Sequence, residues 1–140
     1  MGRILAIDYG QKRVGLAVTD ELRMIAGALA TVQSSDVIRF LKDYLLKEQV
    51  DCIVVGYPLT LQNQLSESAR FTEPFVKHLQ RTFPHIPVER MDERFTSKMA
   101  TAAILESGAK KKDRQNKGLV DKVSAVIILQ SYLEMKSMQR

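Results

Sequence analysis

Three short apolar runs crowd the start of the chain: "RILAI" from Arg3, "VGLAV" from Val14 and "MIAGALATV" from Met24. The polar links between them, including "TDELR", are too short for the crossover that parallel strands require, which takes a dozen or more residues. The runs can therefore pair in sequence order only by reversing direction. An antiparallel meander is expected, with Gly15 and Gly27 marking bulges or close backbone approach.

The repeat then changes from two residues to the helical one. "SSDVIRFLKDYLLKEQ" puts Val37, Ile38, Leu41, Tyr44 and Leu45 at helical spacing, with Ser34 or Ser35 as N-cap. "DCIVVG" lacks alternation and suits a strand buried on both faces. "YPLTLQNQ" reads as loop, and "SESARFTEPFVKHLQRTF" as a helix capped by Ser66 that Pro74 should kink or split. "IPVERMDE" is a further strand. "FTSKMATAAILESG" reads as a helix with Thr96 as possible N-cap and Gly108 past its end. "LVDKVSAVIILQSYLEM" is a largely apolar helix, expected to be buried against a sheet. The order β-β-β-α-β-α-β-α-α predicts an α/β chain with a mixed five-stranded sheet and helices on both faces. No repeat, low-complexity tract or composition break divides it, so one domain over residues 1–140 is expected.

Composition narrows the class. No stretch approaches the ~18 apolar residues of a membrane span, and no charged segment followed by an apolar one marks a signal peptide. Cys52 is the sole cysteine, which rules out an intramolecular disulfide or a cysteine-cluster zinc site and fits a reducing cytoplasm. A soluble cytoplasmic protein is expected. The formal charge is +5, compatible with a nucleic-acid partner without establishing one. The excess concentrates in "GAKKKDRQNKGLVDK", where Lys110, Lys111, Lys112, Arg114, Lys117 and Lys122 face two acids. A solvated loop between helices explains this run as well as a binding surface does.

Carboxylates sit at three telling places. Asp8 closes the first strand, with Gly10, Lys12 and Arg13 just beyond; Asp92 and Glu93 end the last; Asp121 lies on the final helix beside the small Ser124 and Ala125. If the first and last strands approach in one sheet and the helix crosses their ends, these acids converge. Converging carboxylates repel one another, and a hard divalent cation relieves the repulsion. Oxygen ligands completed by water and phosphate suit Mg²⁺, and two such ions about 4 Å apart assist phosphodiester hydrolysis. Each acid also has a plainer reading. Asp8 is a common turn residue, Asp92 or Glu93 suits a helix N-terminus, and Asp121 has Lys117 and Lys122 as possible partners. His78 and His85 have no partner at metal-ligand spacing, Cys52 reads as a small core residue, and the few aromatics form no evident stacking platform.

The segments "AIDYGQKRVGLAVTD", "IVVGYPL", "DERFTS" and "VDKVSAVIILQSYL" resemble, in order and over nearly the whole chain, the YqgF family of RuvX-type Holliday junction resolvases, which have the ribonuclease H-like fold. The resemblance implies a Mg²⁺- or Mn²⁺-dependent nuclease using two ions. Asp8, Glu93 and Asp121 answer to its metal-binding, catalytic acids. Gly10, Lys12 and Arg13 fall on its turn after the first strand, Gly56 and Pro58 on its GxP loop, and Arg94 and Thr96 on the rest of DERxT. Lys12, Arg13 and the lysine run (Lys110, Lys111, Lys112, Arg114, Lys117) would hold phosphates without reading sequence. The family is linked to processing the 5′ end of pre-16S ribosomal RNA and, by fold analogy, to four-way DNA junctions. Structured RNA is the expected partner, a junction the alternative, with a monomer or weak homodimer as the assembly. Many relatives carry an Asn and an Asp-Gly pair where this chain has "TLQNQLSESA", so contacts from that loop do not carry over.

Two rivals belong to other classes. A ribosome-assembly or RNA-binding factor without catalysis would bind RNA in EDTA. The first motif also resembles the phosphate loop of actin-like sugar kinases, which use a second similar domain.

Overall fold

The structure, a computed structural model, describes residues 2–57, 69–92 and 117–138. Strands β1 (Arg3–Tyr9), β2 (Arg13–Thr19), β3 (Ala26–Gln33), β4 (Val50–Tyr57) and β5 (Val88–Asp92) form one sheet in the order β3-β2-β1-β4-β5. Helices α1 (Val37–Lys47), α2 (Ala69–Thr82) and α3 (Lys117–Met138) complete the described elements. β1, β2 and β3 form the expected meander, whereas β4 runs parallel to both β1 and β5. The mixed five-stranded α/β sheet is thus as expected.

The two-residue strand repeat divides the core between the faces. Leu5, Ile7, Val14, Leu16, Ile53 and Val55 pack with Val37 and Leu41 of α1 and Phe75 and Leu79 of α2. Ile4, Ala6, Ala17 and Val54 turn the other way, against Ala125, Ile128, Leu129 and Tyr132 of α3. The small side chains on the α3 side let that helix sit close to the sheet. β4 feeds both clusters, which is why its sequence shows no alternation.

Four expectations need correction. Neither Ser34 nor Ser35 caps α1. Ser34 opens a short 3₁₀ turn, Ser34–Asp36, its hydroxyl donates instead to the Gln11 carbonyl at 2.7 Å, and Asp36 stands at the cap without a side-chain cap bond. Pro74 does not split α2, which runs through it, although the proline lacks the N–H that would have bonded the Arg70 carbonyl. Met24 and Ile25 precede β3 and are exposed. Their N–H groups donate to the Asp20 carboxylate at 2.8 and 2.9 Å, in a turn where Arg23 takes φ 59°. Ile86 precedes β5, where its N–H donates to the Phe83 carbonyl in a tight turn. The helix expected around Thr96 and the loop after Tyr57 lie outside the described residues.

Candidate active site

The parallel strands β1, β4 and β5 bring their carboxyl ends to one edge of the sheet. Ile7 pairs with Val55, and Val55 with Arg90. Asp8 is the next residue on β1, partly buried, and by alternation with Ile4 and Ala6 it belongs to the face that α3 covers. Across β2 it pairs with Gly15, which pairs in turn with Thr31 of β3. Residue 15 has no side chain, so that one position of β2 adds none beside Asp8.

A tight turn follows. The Gly10 N–H donates to the Arg13 carbonyl at 3.0 Å, and a Cβ at position 10 would lie 2.6 Å from that same oxygen. The glycine is thus required by closure of the turn itself. Ser34 ties the turn to the end of β3: its N–H donates to the Lys12 carbonyl at 3.0 Å, while its hydroxyl bonds Gln11. Lys12 is left exposed and Arg13 is partly buried. Tyr9 stacks on Phe75 of α2, with ring centroids 4.3 Å apart, fixing the strand end from the opposite face.

The orientation of α3 follows from its last turns. Tyr132 donates a hydrogen bond to Glu89 near the start of β5, and Lys136 pairs with the same carboxylate at 3.7 Å. Cys52, near the start of β4, donates to Glu89 at 3.4 Å. The Tyr132 bond holds Glu89 below the usual carboxylate range, and burial pushes the Cys52 thiol up to about 11. Ala125, about 10 Å earlier along the helix axis, packs in the cluster of Ala6 and Val54. Asp121 occupies the helix position one turn before Ala125; its side chain and that of Lys117 lie outside the described residues. So do Pro58, Glu93, Arg94, Thr96, Lys110, Lys111, Lys112 and Arg114. Among the described residues no three His, Cys, Asp or Glu side chains are grouped to hold a metal ion.

One contact at this edge has no counterpart in the sequence reading. Arg90 of β5 donates to both Glu73 oxygens at 2.8 Å, and to the carbonyls of Gly56 at 3.1 Å and Val55 at 3.3 Å. It clamps the carboxyl end of β4 to α2. An arginine inside a short strand was the only hint, since its partners lie 17 to 35 positions away.

The comparisons with known proteins agree with this architecture. A family model described as "RuvX: Holliday junction resolvase" matches residues 2–135. A protein of Parabacteroides distasonis named "Putative pre-16S rRNA nuclease" is 58% identical over 139 residues, covering 99% of both chains. One of the same name from Bacteroides thetaiotaomicron is 53% identical over 97% of this chain and 99% of its own. Among solved structures, a fowlpox virus resolvase in complex with Holliday junction DNA superposes with a TM-score of 0.59 at 15% identity, covering 96% of this chain and 98% of that one. Thermus thermophilus RuvC with a Holliday junction substrate gives 0.57 at 18% identity, over 98% and 96%. These likenesses establish the ribonuclease H-like fold. With the family model spanning nearly its full length, the chain belongs to the RuvX family of Holliday junction resolvases.

Proposed function

We propose that this chain is a divalent-metal-dependent nuclease, acting in the cytoplasm on the 5′ end of pre-16S ribosomal RNA, with Asp8, Glu93 and Asp121 as its acids. The observation that carries the reading is the position of Asp8. It stands at the carboxyl edge of three parallel strands, on the face covered by the helix that bears Asp121. The names of relatives more than half identical to this chain supply the substrate.

Asp92 ends β5 two residues after Arg90, which reaches Glu73 of α2 on the face away from Met91 and α3, and this register favours the next acid in the sequence, Glu93, over Asp92. The direction of α3 supports Asp121, one turn beyond Ala125 toward the carboxyl edge.

An all-oxygen donor set of this kind fits Mg²⁺ or Mn²⁺. A bound metal pair would activate water and stabilise the leaving oxygen of a phosphodiester. The chain's own contribution is positional. β1 presents Asp8 from a sheet buried on both sides, Tyr9 anchors the strand end on Phe75, and Arg90 holds the β4 end in place. Lys12, Arg13 and the run Lys110, Lys111, Lys112, Arg114 and Lys117, with Gly10, Arg94 and Thr96, would face the phosphate backbone.

The test offers the protein a pre-16S RNA with its 5′ leader and, separately, a four-way DNA junction, each with Mg²⁺, with Mn²⁺ and with EDTA. Metal-dependent trimming of the RNA alone supports the reading. Cleavage of the junction alone would replace it with the resolvase activity of its fold neighbours, and binding without cleavage in either metal would replace it with a non-catalytic role.

A further inference from the structure

A cleft of about 610 Å³ opens between the β1–β2 turn and the end of β3, lined by Gln11, Lys12, Arg13, Thr31, Gln33 and Ser35 among others. Among the described residues, no carboxylate lines it. Gln11, Lys12, Gln33 and Ser35 are exposed, and the two Ser34 bonds hold the turn against β3 so that the walls are fixed before any ligand arrives. Asp36, the next carboxylate along the chain, is paired with Arg39 at 2.9 Å. Lys12 and Arg13 bring two positively charged side chains to this flank of Asp8.

We infer that this cleft seats one backbone phosphate of the nucleic-acid strand, about two nucleotides from the bond presented at Asp8. The inference rests on the proposed role of Asp8. The spacing comes from the sheet. Asp8, Gly15 and Thr31 lie on one rung, so β3 is two strand separations from Asp8, about 10 Å. The rise of about 3.4 Å per nucleotide is measured along the helix axis; because the strand winds around that axis, its successive phosphates are about 6 Å apart, and about 10 Å spans about two of them. Hydroxyl and amide donors beside lysine and arginine suit a phosphodiester oxygen and make no distinction among bases.

The experiment walks a single uncharged methylphosphonate linkage along an RNA oligonucleotide spanning the 5′ cleavage site. Binding is measured in EDTA for wild type, Lys12→Ala and the control Lys47→Ala, which removes an exposed charge from the last turn of α1. Lys12→Ala should weaken binding about five- to tenfold and lower the salt-dependence slope by about 1, with Lys47→Ala near wild type. The difference between wild type and Lys12→Ala should vanish when the neutral linkage lies about two nucleotides from the cut, and persist when it lies elsewhere. A Lys12 effect that is indifferent to linkage position, centred on the cut itself, or matched by Lys47→Ala overturns the inference. Cleavage of the unmodified RNA by wild type in Mn²⁺ is scored separately, so loss of the nuclease reading registers there and not in the binding map.

Discussion

Replacing Gly10 by alanine tests whether the turn behind Asp8 is as tightly built as its geometry states. A Cβ there would sit 2.6 Å from the Arg13 carbonyl oxygen, which is backbone and cannot swing aside. Either the turn opens and loses the 3.0 Å bond from Gly10 to Arg13, worth about 1 kcal/mol, or the chain absorbs an overpacking strain of about 1–3 kcal/mol. Because the turn is also held by Ser34, relief in one place strains another, and a net loss of about 2–3 kcal/mol is expected. For a domain of this length that lowers Tm by about 8–12 °C. Gly27→Ala is the matched control. Nothing lies within 4 Å of the Cβ it would add on the edge strand β3, and alanine there should gain about 0.5 kcal/mol from reduced chain entropy. Urea and thermal melts followed by circular dichroism give both values. If Gly10→Ala melts within about 2 °C of Gly27→Ala, the claim that the turn closes on its own backbone is wrong.

Three other perturbations address separate parts of the molecule. Arg90→Met should cost about 1–2 kcal/mol in urea melts, less than a fully buried pair would, because the Arg90 and Glu73 side chains keep 24% and 35% exposure. The Cys52 thiol, pushed up to about 11 chiefly by burial, should stay protonated at pH 8 and react with Ellman's reagent far more slowly in the folded protein than in urea. The Asp51 carboxylate is held below its usual range first by the Gly2 N–H, then by the Gln49 amide and Arg23. Its stabilisation is therefore complete above the ordinary carboxylate pKa and fades as pH falls through the lowered one. The urea midpoint should drop below about pH 4, and Asp51→Asn should flatten that drop.

Much of the architecture could be read from the residues because it depends on local periodicity. The short links after "RILAI" and "VGLAV" force the meander. The unbroken "CIVV" stretch anticipates a strand that serves two cores, and the apolar final helix anticipates burial of Ala125, Ile128 and Leu129. Errors fell where a group had a better partner than its nearest neighbour. Ser34 would cap a helix in isolation, but Gln11 of the hairpin turn takes its hydroxyl, 23 positions away. Met24 and Ile25 look like strand, but Asp20 captures their N–H groups and turns them outward. For the site, Asp8 was readable as an acid at a strand end, because strand boundaries are local. The Arg90 clamp and the Glu89–Tyr132 bond were not, since each joins residues that only the completed sheet brings together.

The central claim is that Asp8 works with Glu93 and Asp121 while the adjacent Asp92 does not. The most direct measurement is Mn²⁺-dependent trimming of a 5′-extended pre-16S RNA by Asp8→Asn, Glu93→Gln, Asp121→Asn and Asp92→Asn, each with its thermal melt. Loss of at least about a hundredfold is expected for the first three, beyond the effect of removing a group that only supports a metal ligand, with melting unchanged and Asp92→Asn near wild type. Trimming by Asp8→Asn at the wild-type rate, or loss confined to Asp92→Asn, would contradict the account.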